Sequence, residues 1–207
     1  MRARVVGVLL VVVGLGVPDR ATAQVAWDSP LLLAPGSPAG LQVFLIDADA
    51  SDGMGALVHY RRGRAPSGLG FRVGVTEEVQ GEAVVFGGVD FSGPLTTADE
   101  AFPLDVLWVG GLGASVGEDV LVSVPVGLSL GRLIQSPDVR ILPYGGPRIV
   151  LDGFLGDEPN REEVGIDVVV DAGVDLAFDT GWAVRFGLTV GDRQAVAIGA
   201  SFGSGLR

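Results

Sequence analysis

The chain contains no cysteine and no lysine. Without cysteine it can form neither a disulfide nor a thiolate metal site, and cysteine usage gives no clue to redox compartment. Without lysine every basic side chain is an arginine, and 14 of these face 25 acidic residues. A net charge of −11 does not suit phosphate backbones, which need a basic footprint. Nucleic acid is therefore excluded as a partner. Charged residues of both signs reach only 19%, below the roughly 25% of a soluble domain. Histidine occurs once, at His59. Beyond the N-terminus no apolar run reaches the ~20 residues that a membrane-spanning helix needs.

What the chain has in quantity is glycine, 33 residues, within a 48% apolar composition. Glycine at this level without a collagen period is compatible with disorder, but a disordered chain is poor in apolar residues. An apolar chain without a spanning helix fits a membrane barrel, which places its apolar residues at alternate positions.

The N-terminus reads as a secretory signal peptide over residues 1–23. Arg2 and Arg4 supply the positive start, Val5 to Val17 the apolar core, and Ala21-Thr22-Ala23 the small-residue cleavage site before Gln24. The core is short of spanning length, which disfavours an anchor, and no cysteine is present to carry a lipid. Residues 24–40 hold Trp27, Leu31-Leu32-Leu33 and three prolines. They are expected to form an irregular leader, tucked against or into the barrel domain that fills residues 41–207.

The stretch from Leu104 to Leu133 sets the pattern for that domain. Strands place successive side chains on opposite faces. On the first arm one face carries Leu104, Val106, Trp108, Gly110, Leu112, Ala114 and Val116. The second arm carries Val120, Val122, Val124, Val126, Leu128 and Leu130 on one face, with Ser123, Gly127, Ser129 and Gly131 among those on the other. Gly117-Glu118-Asp119 joins the arms as a hairpin. Both arms exceed the ~5–6 residues usual in soluble sheets. An all-apolar face backed by a small, mildly polar one fits a strand with lipid outside and a packed lumen inside.

Similar strands are expected at Leu41 to Asp47, Met54 to Arg62, Leu69 to Thr76, Ala83 to Phe91, Val139 to Leu151, Val164 to Phe178, Trp182 to Val190 and Ala195 to Phe202. Together with the hairpin they make ten, with eight as the alternative. Either even number puts both termini on one side. Pro143 and Pro147 each remove a ladder donor, so a bulge or a break in pairing is expected beside them.

Three features together are similar to the small outer-membrane β-barrel proteins of Gram-negative bacteria, the OmpW-like and related barrel-domain families. They are the signal ending Ala21-Thr22-Ala23, the strand Val124-Pro125-Val126-Gly127-Leu128-Ser129-Leu130-Gly131, and the strand Val170-Asp171-Ala172-Gly173-Val174-Asp175-Leu176-Ala177-Phe178. The resemblance covers nearly the whole mature chain as a pattern. It implies an all-β, antiparallel up-and-down transmembrane barrel, outer-membrane lipid as its surroundings and the barrel-assembly machinery as a partner during biogenesis. Such barrels usually end on an aromatic residue; here Phe202 is followed by Gly203 to Arg207. Aromatic residues at 7% are thin for two interfacial girdles; Trp108, Tyr144, Trp182, Phe91 and Phe178 are the candidates.

Inward positions are where chemistry is to be sought. They include Arg72, Arg140, Arg148, Asp167, Asp171, Asp175 and Arg185. Opposite charges on adjacent strands meet across a ladder, and arginine holds a carboxylate through two parallel bonds. A structural ion-pair network is the first expectation, a charged pore lining the second, and cation binding by the aspartates the third. Glycines such as Gly70, Gly113, Gly173 and Gly187 would leave room for long inward side chains. Catalysis is the rival class. His59 has no serine two positions away and no aspartate nearby on its strand, so it is expected to be a strand or rim residue. No catalytic residue, cofactor or metal site is assigned. The expected role is structural, or the passage of small or hydrophobic solutes. The alternative is a soluble periplasmic lipocalin-like barrel that binds a lipid. The parity of the strands separates the two, because a soluble barrel would turn its bulky apolar face inward.

Overall fold

In the computed structural model the described residues are 26–48, 54–63, 67–77, 83–117, 120–155 and 164–202. The signal peptide expected over residues 1–23 lies outside them, as do the tip of the central hairpin and most of the acidic loop after Asp152.

The chain forms a single antiparallel sheet that closes on itself. Its strands are β1 (Gly40–Ala48), β2 (Met54–Arg62), β3 (Gly68–Glu77), β4 (Ala83–Thr96), β5 (Asp105–Val116), β6 (Val120–Gly131), β7 (Ile134–Gln135), β8 (Val139–Leu155), β9 (Val164–Phe178), β10 (Trp182–Gly191) and β11 (Ala195–Phe202). Each strand from β1 to β6 pairs with the next, β8 to β11 do the same, β1 pairs with β11, and β6 pairs with β8. The two-residue β7 is a short flap on β8. The wall is therefore a closed ten-stranded barrel, the larger of the two numbers expected. Leu41 lies opposite Phe202, so the wall begins and ends at one rim, here called the entry rim.

Two strands run further than their pattern implied. β4 continues past Phe91 to Thr96 through a bulge at Pro94, and β8 reaches Leu155. The prolines act as their chemistry requires. β8 pairs with β9 without a shift from Val139 to Gly153, across both Pro143 and Pro147. On its other edge the ladder with β6 skips the positions of Gly146 and Pro147 and resumes in the same register. The β5–β6 ladder skips the positions around Pro125 in the same way. A missing N–H interrupts one edge and leaves the register intact.

Parity follows the central hairpin. Val126 and Leu128 are 58% and 39% exposed on the outer wall, while Leu121, Ser123 and Ser129 are buried inside. Ile166, Val168 and Val170 point outward on β9, with Val169 and Asp171 inward. Val122 and Val124 share the outward face of Val126 and do not enter the interior. The outer surface is thus apolar, and the interior holds most of the buried charge.

The aromatic side chains form one belt rather than two. Tyr60, Phe71, Phe91, Trp108, Trp182 and Phe202 all point outward in the half of the barrel nearer the entry rim. Phe178 and Trp182 stack there with ring centroids 4.5 Å apart. Tyr144, expected among the girdle residues, is instead buried inside.

Candidate functional site

The interior is filled by residues 26–39. This segment starts with a 3-10 turn at Ala26–Asp28 and joins β1 at the entry rim. Trp27 and Leu31 to Ala34 are buried. Trp27 lies over Gly88, Gly111 and Gly113, whose missing side chains make its seat. Leu32 fits against Gly187 in the same manner, although its backbone takes φ +57°, a conformation unusual for a bulky residue. A side chain at any of these glycines would occupy space the segment uses.

Arginines of the wall strands, and Arg193 in the turn between β10 and β11, grip the segment. Arg72 donates from its guanidinium to the carbonyls of Trp27 and Pro30, each at 3.3 Å, and to that of Leu31. Arg185 donates to the Leu32 carbonyl at 2.8 Å and to Ser37 Oγ at 3.0 Å. Arg148 is paired with Asp28, and Arg193 reaches the same carboxylate at 3.3 Å. The segment's polar backbone thus finds donors that water would otherwise supply.

Each arginine also has a carboxylate on the wall, and the ladders explain which. Arg185 and Asp175 are direct cross-strand partners, so Nε donates to the carboxylate at 2.9 Å. Arg148 lies opposite Val169 and reaches Asp171 two residues along, through two bonds of 2.6 and 3.0 Å. Thr189, the ladder partner of Asp171, donates to it at 2.6 Å. Asp167 accepts from Arg193 at 2.6 Å, and Asp152 accepts from the same guanidinium.

A second cluster centres on Asp90, which is wholly buried. Arg72 Nε donates to it at 2.9 Å and Arg61 at 3.2 Å, while His59 Nε2 lies 3.0 Å away. His59 stands on β2 and Asp90 on β4, with β3 between them. They meet because Gly70, opposite both Arg61 and Asp90, carries no side chain. His59 Nδ1 lies 3.2 Å from Gln42 Oε1, which also accepts from Arg185. Gln42 Nε2 donates to the Pro38 carbonyl at 3.0 Å. One polar chain therefore runs from Asp90 through His59, Gln42 and Arg185 to Asp175.

Of the residues singled out in the sequence, Arg72, Arg148, Asp167, Asp171, Asp175 and Arg185 enter these networks. Arg140 does not join them. It lies 3.8 Å from Asp179 at the entry rim, a carboxylate largely in solvent. The three aspartates of β9 go to three different arginines, and among the described residues no group of three His, Asp or Glu side chains is placed to hold a metal. His59 is an inward strand residue rather than a rim residue. The sequence reading passed over Asp28, Gln42, His59, Arg61, Asp90 and Arg193 as network members. Parity on β2 and β4 would have put His59, Arg61 and Asp90 inside, since Asp90 opposes an apolar face. Nothing periodic marks Asp28 or Arg193, which lie outside regular strands.

The class defined by these observations is a closed antiparallel barrel with an apolar exterior and a charge-bearing interior occupied by its own residues 26–39. No protein-family model and no curated protein matches the chain. A solved structure described as a de novo design of transmembrane β-barrels is similar, at 15% identity over 80% of this chain and 96% of that one, with a TM-score of 0.36. The barrel assignment here rests on the strand ladders themselves.

Proposed function

We propose that the chain is an integral β-barrel protein of a bacterial outer membrane, with a structural or small-solute passage role and no catalytic one. The observation that carries this reading is the inverted polarity of the wall. Val126, Ile166 and Val168 face out, while Asp90, Arg148, Asp175 and Arg185 are buried inside. In water that arrangement would expose the apolar side chains and desolvate the charged ones, the reverse of what stabilises a soluble barrel. In lipid the same arrangement is favourable, because closure leaves the wall no open sheet edge. Strand lengths agree. β8 and β9 have 17 and 15 residues, β5 and β6 have 12 each, and every wall strand except β11, which has 8, reaches the ~9–11 needed to cross at a tilt. The aromatic belt fits one membrane–water interface.

The lipocalin-like alternative needs an apolar interior with room for a lipid. Here the longest apolar faces point out, the interior mixes buried charge with an apolar cluster that includes Phe44, Ile46, Leu57 and Phe86, and residues 26–39 leave it no room for a lipid. Catalysis is disfavoured by the placement of His59. The ring is buried with Gln42 Oε1 and Asp90 as its polar neighbours, and neither of these is a hydroxyl that the imidazole could activate as a nucleophile. Outer-membrane lipid and the barrel-assembly machinery remain the partners proposed.

The test is gel mobility of the purified membrane fraction in SDS, boiled against unboiled. A folded barrel resists SDS and shifts on boiling. A protein recovered in the soluble periplasm with no shift would overturn the reading.

A further inference from the structure

We infer that residues 26–39 are a separable stopper, and that the barrel interior is a binding site built for that segment. This rests on the membrane reading above and adds to it what closes the passage.

The segment is held by features of the wall, yet it belongs to no part of the wall. It adds no strand to the sheet. Its carbonyls at Trp27, Pro30, Leu31 and Leu32 are taken by Arg72 and Arg185. Its one charged side chain, Asp28, is taken by Arg148 and Arg193. Trp27 and Leu32 enter seats made of glycine. Carbonyl recognition is indifferent to sequence, whereas Trp27, Asp28 and Leu32 fix the register, as in other peptide sites that join main-chain bonding to side-chain pockets.

The wall is charge-paired without the segment. Arg72 keeps Asp90, Arg148 keeps Asp171, Arg185 keeps Asp175, and Arg193 keeps Asp152 and Asp167. Release of the stopper therefore strands no arginine without a carboxylate, which would be costly. The segment runs from Asp28, deep among Arg148 and Arg193, to Pro38 beside Gln42 near the entry rim. Among the described residues it is joined to the wall through β1, so release on that tether carries it out on the side where the wall begins and ends.

The experiment uses the full chain in planar bilayers. One variant carries Pro30→Cys and Gly187→Cys; a β-carbon at Gly187 would lie 3.4 Å from that of Pro30, close to the ~3.5–4.5 Å span of a disulfide, and the crowding it brings to the end of Leu32 is the same in the oxidised and reduced states compared. With no native cysteine, this bond is the only disulfide that can form within one chain. A second variant, Trp27→Ser with Asp28→Ala, removes a seat and the latch. The stopper predicts that openings fall at least tenfold when the cysteine pair is oxidised and return on reduction. It also predicts that they rise at least tenfold in the second variant. Equal conductance in the oxidised and reduced states, or no conductance from any inserted barrel, would overturn the inference while leaving the membrane reading intact. Absence of an SDS-resistant inserted barrel would overturn both. Should the second variant not fold, the cysteine pair, which keeps Trp27 and Asp28, decides alone.

Discussion

Replacing Asp90 by asparagine should be among the most damaging single changes in this barrel. The carboxylate is wholly buried and faces Arg72 at 2.9 Å, His59 at 3.0 Å and Arg61 at 3.2 Å. Asparagine keeps the size and one acceptor oxygen but removes the charge. Breaking a buried ion pair by removing one partner costs about 3–5 kcal/mol, because the other charge stays buried. Two neighbours soften the loss here. Arg72 retains the leader carbonyls, and Arg61 retains Ser92 Oγ. The lower end, about 3 kcal/mol, is therefore expected, or roughly a hundredfold in the folding equilibrium. The assay is urea unfolding in detergent micelles, followed by the mobility of unboiled samples and by tryptophan emission. Asp179→Asn is the control. That carboxylate stands largely in water 3.8 Å from Arg140, and its loss should cost less than ~0.5 kcal/mol. If Asp90→Asn costs less than ~1 kcal/mol, the buried network contributes little to the fold and the reasoning fails.

Three further outcomes are expected. Val126→Arg, midway along the outer face of β6, should cost about 2–4 kcal/mol when folding is measured into lipid vesicles; a change within ~0.5 kcal/mol would mean that this face meets water. Gly113→Val fills the seat of Trp27, so a chain whose other tryptophans are replaced by phenylalanine should show red-shifted emission. Unchanged emission would place that indole elsewhere. Gly70→Ala sets a methyl group between His59 and Asp90 and should lose about 1–3 kcal/mol in the same urea titration, as overpacked sites do.

The wall was legible in the sequence because alternation is a local signal. The residues of β6 carry valine or leucine at every second position, and that alone fixed which face looks outward. Cross-strand pairing was legible for the same reason at Asp175 and Arg185, where one tight turn sets the register. The contents of the lumen were harder. His59 and Asp90 come from β2 and β4, and their contact depends on an empty position at Gly70 that no local pattern announces. Asp28 sits in a segment without periodicity, and its role appears only when Arg148 and Arg193 arrive from residues more than a hundred positions away. Tyr144 was misplaced because its aromatic ring counted as girdle material, whereas its parity with Leu142 and Arg148 puts it inside. The prolines of β8 disturbed one ladder and not the other, since a strand uses alternate N–H groups toward its two neighbours.

The central claim is that the outer face meets lipid and the leader does not. Quenching of single-tryptophan chains by brominated phospholipids tests it directly. Trp108 and Trp182 are 43% and 41% exposed on the outer wall, and Trp27 is wholly enclosed. Reconstituted in brominated vesicles, a chain keeping only Trp108 or only Trp182 should be strongly quenched, and one keeping only Trp27 should be nearly untouched. Equal quenching of all three would remove the leader from the lumen, and no quenching of Trp108 and Trp182 would remove the barrel from the membrane.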